Sequence, residues 1–168
     1  MLTAQKTTDI LNILQAQGAM RLIGARVTEV DEGVVEMEVD FKPELSQQHG
    51  YFHAGIIATL VDTAGGCAGA TMMPPGSGVL TVEYKLNTMA PGDGEKLRAR
   101  AEVMKSGRTL TITQGKVWVM KDGKETLCAM MQQTLIALPH KLCSVGAGLP
   151  RPASPPRSNA VAAEPLLQ

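Results

Sequence analysis

Residues 47–62 read Gln-Gln-His-Gly-Tyr-Phe-His-Ala-Gly-Ile-Ile-Ala-Thr-Leu-Val-Asp, and they bring together the groups that acyl hydrolysis uses. Gln47 supplies an amide that can polarise a carbonyl, and Asp62 a carboxylate that can act as base or nucleophile. His53 stands just before a helical pattern, where a capping or contacting group would sit. The first turn of a helix has unpaired backbone N–H groups and the positive end of the dipole, so it can hold an oxyanion. Ala54 and Gly55 are small enough to let a ligand carbonyl come close to that end.

The helix that follows, residues 53–72, stops near Pro74-Pro75-Gly76. At about 100° per residue, Gly55, Ala58, Asp62, Gly65, Gly66 and Gly69 fall on one stripe, and Ile56, Ile57, Leu60, Val61, Ala64, Cys67 and Ala68 on the other face. Asp62, the helix's one acidic residue, therefore lies on a face almost devoid of side chains. Gly65, Gly66 and Gly69 together cost about 3 kcal/mol of helix propensity against alanine. Either another backbone packs there or a ligand needs the room. The plain alternative is packing alone, with Asp62 turned to solvent. Ala54 and Asp62 are about 12 Å apart along the axis, so one carbonyl cannot touch both within a chain. Antiparallel helices from two chains would bring them together, and the chemistry therefore predicts a two-fold dimer with two shared sites.

The remaining elements suit such a helix. Residues 4–17 form a short amphipathic helix ended by Gly18, and residues 22–30 and 34–41 are strands around the turn Asp31-Glu32-Gly33. In the second of these, Val35, Met37, Val39 and Phe41 alternate with Glu36, Glu38 and Asp40. Residues 42–52 are a loop. Strands follow at 78–89, 96–104, 108–120 and 125–138, with Leu80, Val82, Tyr84 and Leu86 assigned to one face of the first. The fold class is α+β, an antiparallel sheet around one long central helix. The domain reading is an N-terminal helix over 1–20, a main domain over 21–144, and a Pro/Ala-rich disordered tail over 145–168 that holds half of the ten prolines.

Composition removes several functions. The 168 residues carry 16 basic and 16 acidic side chains, and without the tail the net charge is −1, so no electrostatic footprint for nucleic acid appears. Five aromatic residues are too few for a base-stacking platform. The N-terminus lacks a signal-like apolar region and no stretch reads as a spanning helix, which gives an expectation of a cytoplasmic protein without a membrane partner. Cys67, Cys128 and Cys143 make no CxxC pair. His49 and His53 are four apart, but Gly50 stands between them and no third ligand lies near, so no metal is expected. Cys67 falls on the apolar face, and Ser46, Ser77 and Ser106 lack a G-x-S-x-G setting.

The spacing of Gln47, His53-Ala54-Gly55 and Leu60-Val61-Asp62 resembles the motif of hotdog-fold acyl-CoA thioesterases of the phenylacetic-acid (PaaI) type. That motif is commonly His-Gly-Gly, with an acid nine residues after the histidine and an amide six before it; the separations here are nine and six. The resemblance covers roughly residues 20–138 and includes the helix–strand order. It implies hydrolysis of an acyl- or aryl-CoA to free acid and CoA without a cofactor, in a homodimer or homotetramer whose sites are shared between chains. It implies Asp62 as nucleophile or general base, the Ala54 N–H as oxyanion donor, Gln47 as a second carbonyl contact and His53 as a positioning group. Gly55 would adjoin the substrate, and Thr81 falls near the position of a water-orienting hydroxyl. Gly107 would lie along the pantetheine and Arg108 would meet CoA phosphates. Ala54 replaces the family's usual glycine, and His49 has no counterpart role. Two other readings of the fold are a hydratase or dehydratase, which would use a different His–acid spacing, and a non-catalytic acyl-CoA-binding module. The intact Asp62 favours the hydrolase over the binder.

Overall fold

A helix as apolar as residues 53–72 needs a sheet to cover it, and the chain supplies one. The structure, a computed structural model, describes residues 2–138. The order is α1 (Ala4–Ala16), α2 (Gly18–Ile23), β1 (Arg26–Asp31), β2 (Val34–Asp40), a 3-10 turn at Pro43–Leu45, α3 (Ala54–Met72), β3 (Gly78–Thr88), β4 (Lys96–Ser106), β5 (Leu110–Lys121) and β6 (Lys124–Leu138). The strands form one antiparallel sheet in the order β1-β2-β4-β5-β6-β3. Its inner face presents Val35, Met37, Val39, Leu97, Ala99, Ala101, Val117, Met131 and Leu135 to α3, all buried. This is the expected architecture, a sheet wrapped on one long helix. Ile10 and Leu14 of α1 join the same core.

The outer face of β1, β2 and β4 carries charge instead. Arg98 bridges Glu36 and Glu125 at 2.7 Å each and lies 4.4 Å over the ring of Trp118. The alternation in residues 34–40 thus separates a dry face from an ion-paired one. The tail at 145–168, and with it Cys143, lies outside the described residues.

Two local expectations are corrected. Residues 18–23 form α2, where the start of a strand at 22 was expected and Gly18 was expected only to end α1. Met20 and Ile23, three apart, are buried, and the helix is closed by Gly24 at φ 77 with its N–H on the Met20 carbonyl. Six residues are too few for helical periodicity to stand out in sequence. The second correction concerns β3. Its register against β6 shifts between Thr81 and Glu83, so Val82 is a bulge. Thr81 pairs with inward Leu135, while Tyr84 and Leu86 pair with inward Gln133 and Met131. Thr81, Tyr84 and Leu86 therefore share the helix side, whereas strict alternation had put Thr81 opposite them.

The closeness of α3 to the sheet depends on Gly115 in β5. A Cβ there would stand 2.3 Å from Cγ2 of Val61, a β-branched side chain that is itself buried. Gly115→Ala should therefore destabilise the protein by about 1–3 kcal/mol, read as a lower denaturation midpoint in urea with unchanged slope.

Candidate active site

Asp62 sits at the start of the third turn of α3, and its side chain is met by donors from two strands. The Thr81 hydroxyl donates to Asp62 Oδ1 at 2.8 Å, and Gln133 Nε2 donates to the same oxygen at 2.6 Å. Gln133 Nε2 also lies 3.1 Å from the Asp62 carbonyl and 2.9 Å from Thr81 Oγ1. A carboxylate only accepts, so the amide must turn its NH2 toward Asp62 and its carbonyl away. That carbonyl accepts from the Thr113 hydroxyl at 2.9 Å. Gln133 and Thr113 are fully buried, Asp62 half-buried and Thr81 exposed. Oδ1 is thus held by two donors, while Oδ2 has no partner among the described residues.

Asp62 borders a cavity of about 1000 Å³, lined with it by Gly66 of α3, Val79 and Thr81 of β3, and Ile10 and Ile13 of α1. Cys67 also lines it, but burial pushes its thiol up to about 12, and a thiol is a poor nucleophile in that state. The helix glycines divide into two kinds. A Cβ on Gly65 would lie 2.0 Å from Gln133 Oε1, and one on Gly69 would lie 2.3 Å from Leu135 Cδ1. Those two glycines admit the sheet. Gly66 has nothing within 4 Å of that position.

The other expected residues gather at the N-terminus of α3. The loop before it is pinned by Phe52 N–H on the Gly92 carbonyl, His53 N–H on the Leu45 carbonyl, and Phe52 edge-on to Phe41 at 5.1 Å. His53 is the N-cap, and its Nδ1 accepts from the Gly55 N–H at 2.9 Å, which places the ring proton on Nε2. The Ile56 and Ile57 N–H groups turn back to the His53 carbonyl. Gly55 is therefore occupied, and Ala54 keeps the one first-turn N–H without an acceptor among the described residues. Gln47 closes a turn, with Gly50 N–H on its carbonyl and His49 N–H on its Oε1 at 2.6 Å, leaving its NH2 free to donate.

Gln47 and Ala54 line a second cavity of about 430 Å³ with Phe52, Thr88, Met89 and Gly92. No residue is common to the two cavities, so within one chain Asp62 and the helix N-terminus are separate. His49 is exposed in the turn, and no cluster of three metal-binding side chains occurs among the described residues. Gly107 and Arg108 form the exposed tip of the β4–β5 hairpin, with Gly107 N–H on the Leu110 carbonyl. Leu110 pairs with Ile136, which pairs with Leu80, so the tip lies at the Thr81 end of the sheet.

Sequence reasoning missed Gln133 and Thr113. Both are polar residues at inward positions of strands, and a buried amide without an apparent partner is the signal that could have found them. Gln133→Leu should lower turnover about 10–100-fold by unseating Asp62, with about 1–3 kcal/mol of stability lost because the Thr113 hydroxyl is orphaned. Thr113→Val added to Gln133→Leu should recover part of the stability and none of the activity, which separates positioning of Asp62 from general packing.

Comparison with known proteins identifies the family. Residues 49–126 match the family model of the thioesterase superfamily. A thioesterase family protein from Silicibacter pomeroyi is 39% identical, with 79% of this chain and 98% of that one aligned at a TM-score of 0.78. The E. coli PaaI protein from the phenylacetic acid degradation operon shares the fold at a TM-score of 0.74 and 16% identity over 83% of this chain and 97% of its own. A thioesterase from Haemophilus influenzae does so at 0.70 and 24%, over 77% and 89%. With the helix, the sheet order and the carboxylate in place, the chain belongs to the thioesterase superfamily and is a hotdog-fold thioester hydrolase.

Proposed function

We propose that this protein hydrolyses the thioester of an acyl-CoA, with each active site built from two chains. The observation that carries the reading is the asymmetry of Asp62, a residue that lines an open cavity: Oδ1 is tied to Thr81 and Gln133, and Oδ2 has no partner among the described residues. A carboxylate held in this way can attack the thioester carbon, or take a proton from water as the water attacks. On the first route the C–S bond breaks to leave a mixed anhydride on Asp62, which water then hydrolyses; on the second the oxygen of water takes the place of sulfur directly; on both, water supplies the proton that makes CoA a thiol and the oxygen of the free acid. The Ala54 N–H, with the Gln47 amide beside it, would receive the negative charge that develops on the carbonyl oxygen. His53 would hold this turn in shape through its cap, with Gly55 beside the bound carbonyl. Exposed Arg108 at the hairpin tip would meet the CoA phosphates, with Gly107 along the pantetheine.

The dimer follows from β3. It is an edge strand of 11 residues whose outer edge is unpaired among the described residues, and Leu80, Val82 and Tyr84 are each about half exposed. An exposed apolar edge is normally covered. Thr81 borders the first cavity, while Thr88 borders the second. Antiparallel pairing of β3 with its own copy about Tyr84 would therefore set Asp62 of one chain beside Ala54 and Gln47 of the other. The same register would place Glu83 opposite Lys85 of the second copy.

Free-thiol release from a CoA-ester panel tests the activity. Asp62→Asn should lose about 10²–10⁴-fold in kcat. Ala54→Pro is a clean removal of the proposed oxyanion donor. Position 54 is the first residue of α3, where proline is tolerated, and His53 is already extended at ψ 137. It should lose about 10²–10³-fold with little change in Tm. Mixing the two inactive proteins at equal amounts, with subunit exchange, should restore about a quarter of the wild-type activity, because each hybrid holds one intact site. No recovery would place each site within one chain. Arg108→Ala should raise KM about tenfold for acyl-CoA, with no change for the acyl-pantetheine lacking the nucleotide phosphates.

A further inference from the structure

Gly65 and Gly69 are explained by the sheet, and Gly66 is not. Its missing Cβ would meet no heavy atom within 4 Å, although it lies inside a helix, where alanine is preferred. It stands one turn beyond Asp62 and one turn before Ala70, and all three border the cavity of about 1000 Å³. We infer that the face Asp62–Gly66–Ala70, roofed by Ile10 and Ile13 of α1, is the channel for a bulky apolar acyl group, and that Gly66 sets the size it admits. The inference rests on the acyl-CoA hydrolase reading above and names the substrate class: CoA esters of octanoyl size or larger rather than acetyl.

A thioester carbon must stand beside Asp62, in contact with Oδ2 or one water away from it, so the acyl group leaves from that point. From Asp62 the cavity runs along α3 toward α1, and Asp62 to Ala70 spans about 12 Å. The inner wall is mainly apolar: Ile10 is buried, Val79 is half-buried, and Cys67, its thiol pushed up to about 12, stays uncharged, with Thr63 the buried polar residue beside them. Half-buried Lys6, Asp9 and Gln17 and exposed Asn12 also line the cavity. The roof is fixed, because Lys6 Nζ donates at 2.5 Å to the carbonyl of Met73, the C-cap of α3. The volume lies at the upper end of the range for small-ligand pockets, far more than acetyl requires.

The test compares wild type, Gly66→Ala and Gly66→Leu on acetyl-, butanoyl-, octanoyl- and dodecanoyl-CoA. The ratio of kcat/KM for octanoyl- over acetyl-CoA should fall about tenfold or more in Gly66→Leu and less in Gly66→Ala. Gly66→Ala should also hold or raise Tm, since its Cβ enters empty space. A second arm needs no turnover: calorimetric binding of octanoyl-CoA to Asp62→Asn, with and without Gly66→Leu, should weaken about tenfold while acetyl-CoA binding moves far less. Equal loss for every chain length, or no change in the ratio in either arm, overturns the inference. A changed oligomeric state with an unchanged ratio would also overturn it, by showing that Gly66 faces the second copy. If wild type releases no thiol from any ester yet octanoyl-CoA binding still depends on Gly66, the hydrolase reading fails and the channel stands. If hydrolysis is normal and selectivity does not move, only the channel fails.

Discussion

A carboxylate can stay half-buried on an apolar helix only if donors come to meet it, and the centre of this protein is organised by that requirement. Asp62 receives two hydrogen bonds on one oxygen, from Thr81 and Gln133, and Gln133 is itself steadied by Thr113. Gln133 reaches the helix because Gly65 has no side chain in its way. Gly115 admits Val61 in the same manner from the sheet side. The lost helix propensity at Gly65 is offset by a contact that a larger residue would forbid. The held carboxylate and the close approach of α3 to β5 and β6 are one physical arrangement.

The same arrangement explains why the site opens where it does. The donors to Asp62 come from β3 and β6, the last two strands at one side of the sheet. The cavity is therefore bounded by an edge strand, and its remaining walls come from α3, from α1 and from residues 74–77. The bulge at Val82 completes this placement by turning Thr81 inward while leaving the strand's apolar residues half exposed. Helix N-terminus and carboxylate belong to different cavities, as the 1.5 Å rise per residue requires of groups eight residues apart.

Much of this was legible in the chain. The alternation of Val35, Met37 and Val39 with acidic residues declared a half-buried strand, and α3 was visible from its length, apolar face and proline stop. Gln47, His53, Ala54 and Asp62 could be singled out because their spacing is local, and the capping position of His53 follows from the first turn alone. Three features were not legible. Residues 18–23 are too short to declare a helical period. The face of Thr81 depended on one extra residue in β3, which a period of two cannot register. Gln133 looked like any polar strand residue, because its meaning comes from a partner 71 positions away.

What the sequence determined by itself was therefore everything set by short-range periodicity and turn chemistry. That includes the strands, the long helix, its small-residue stripe, and the acid, amide and N-cap at fixed local offsets. Only the tertiary structure decided which of the stripe's glycines admit the sheet and which one faces open space, since a helical wheel puts Gly65, Gly66 and Gly69 on the same stripe without saying what meets each of them. It also decided which oxygen of Asp62 is tied and which is free. Both distinctions depend on side chains brought in from β3, β5 and β6, and the distance between strands across a sheet is set by packing and register rather than by neighbours in the chain.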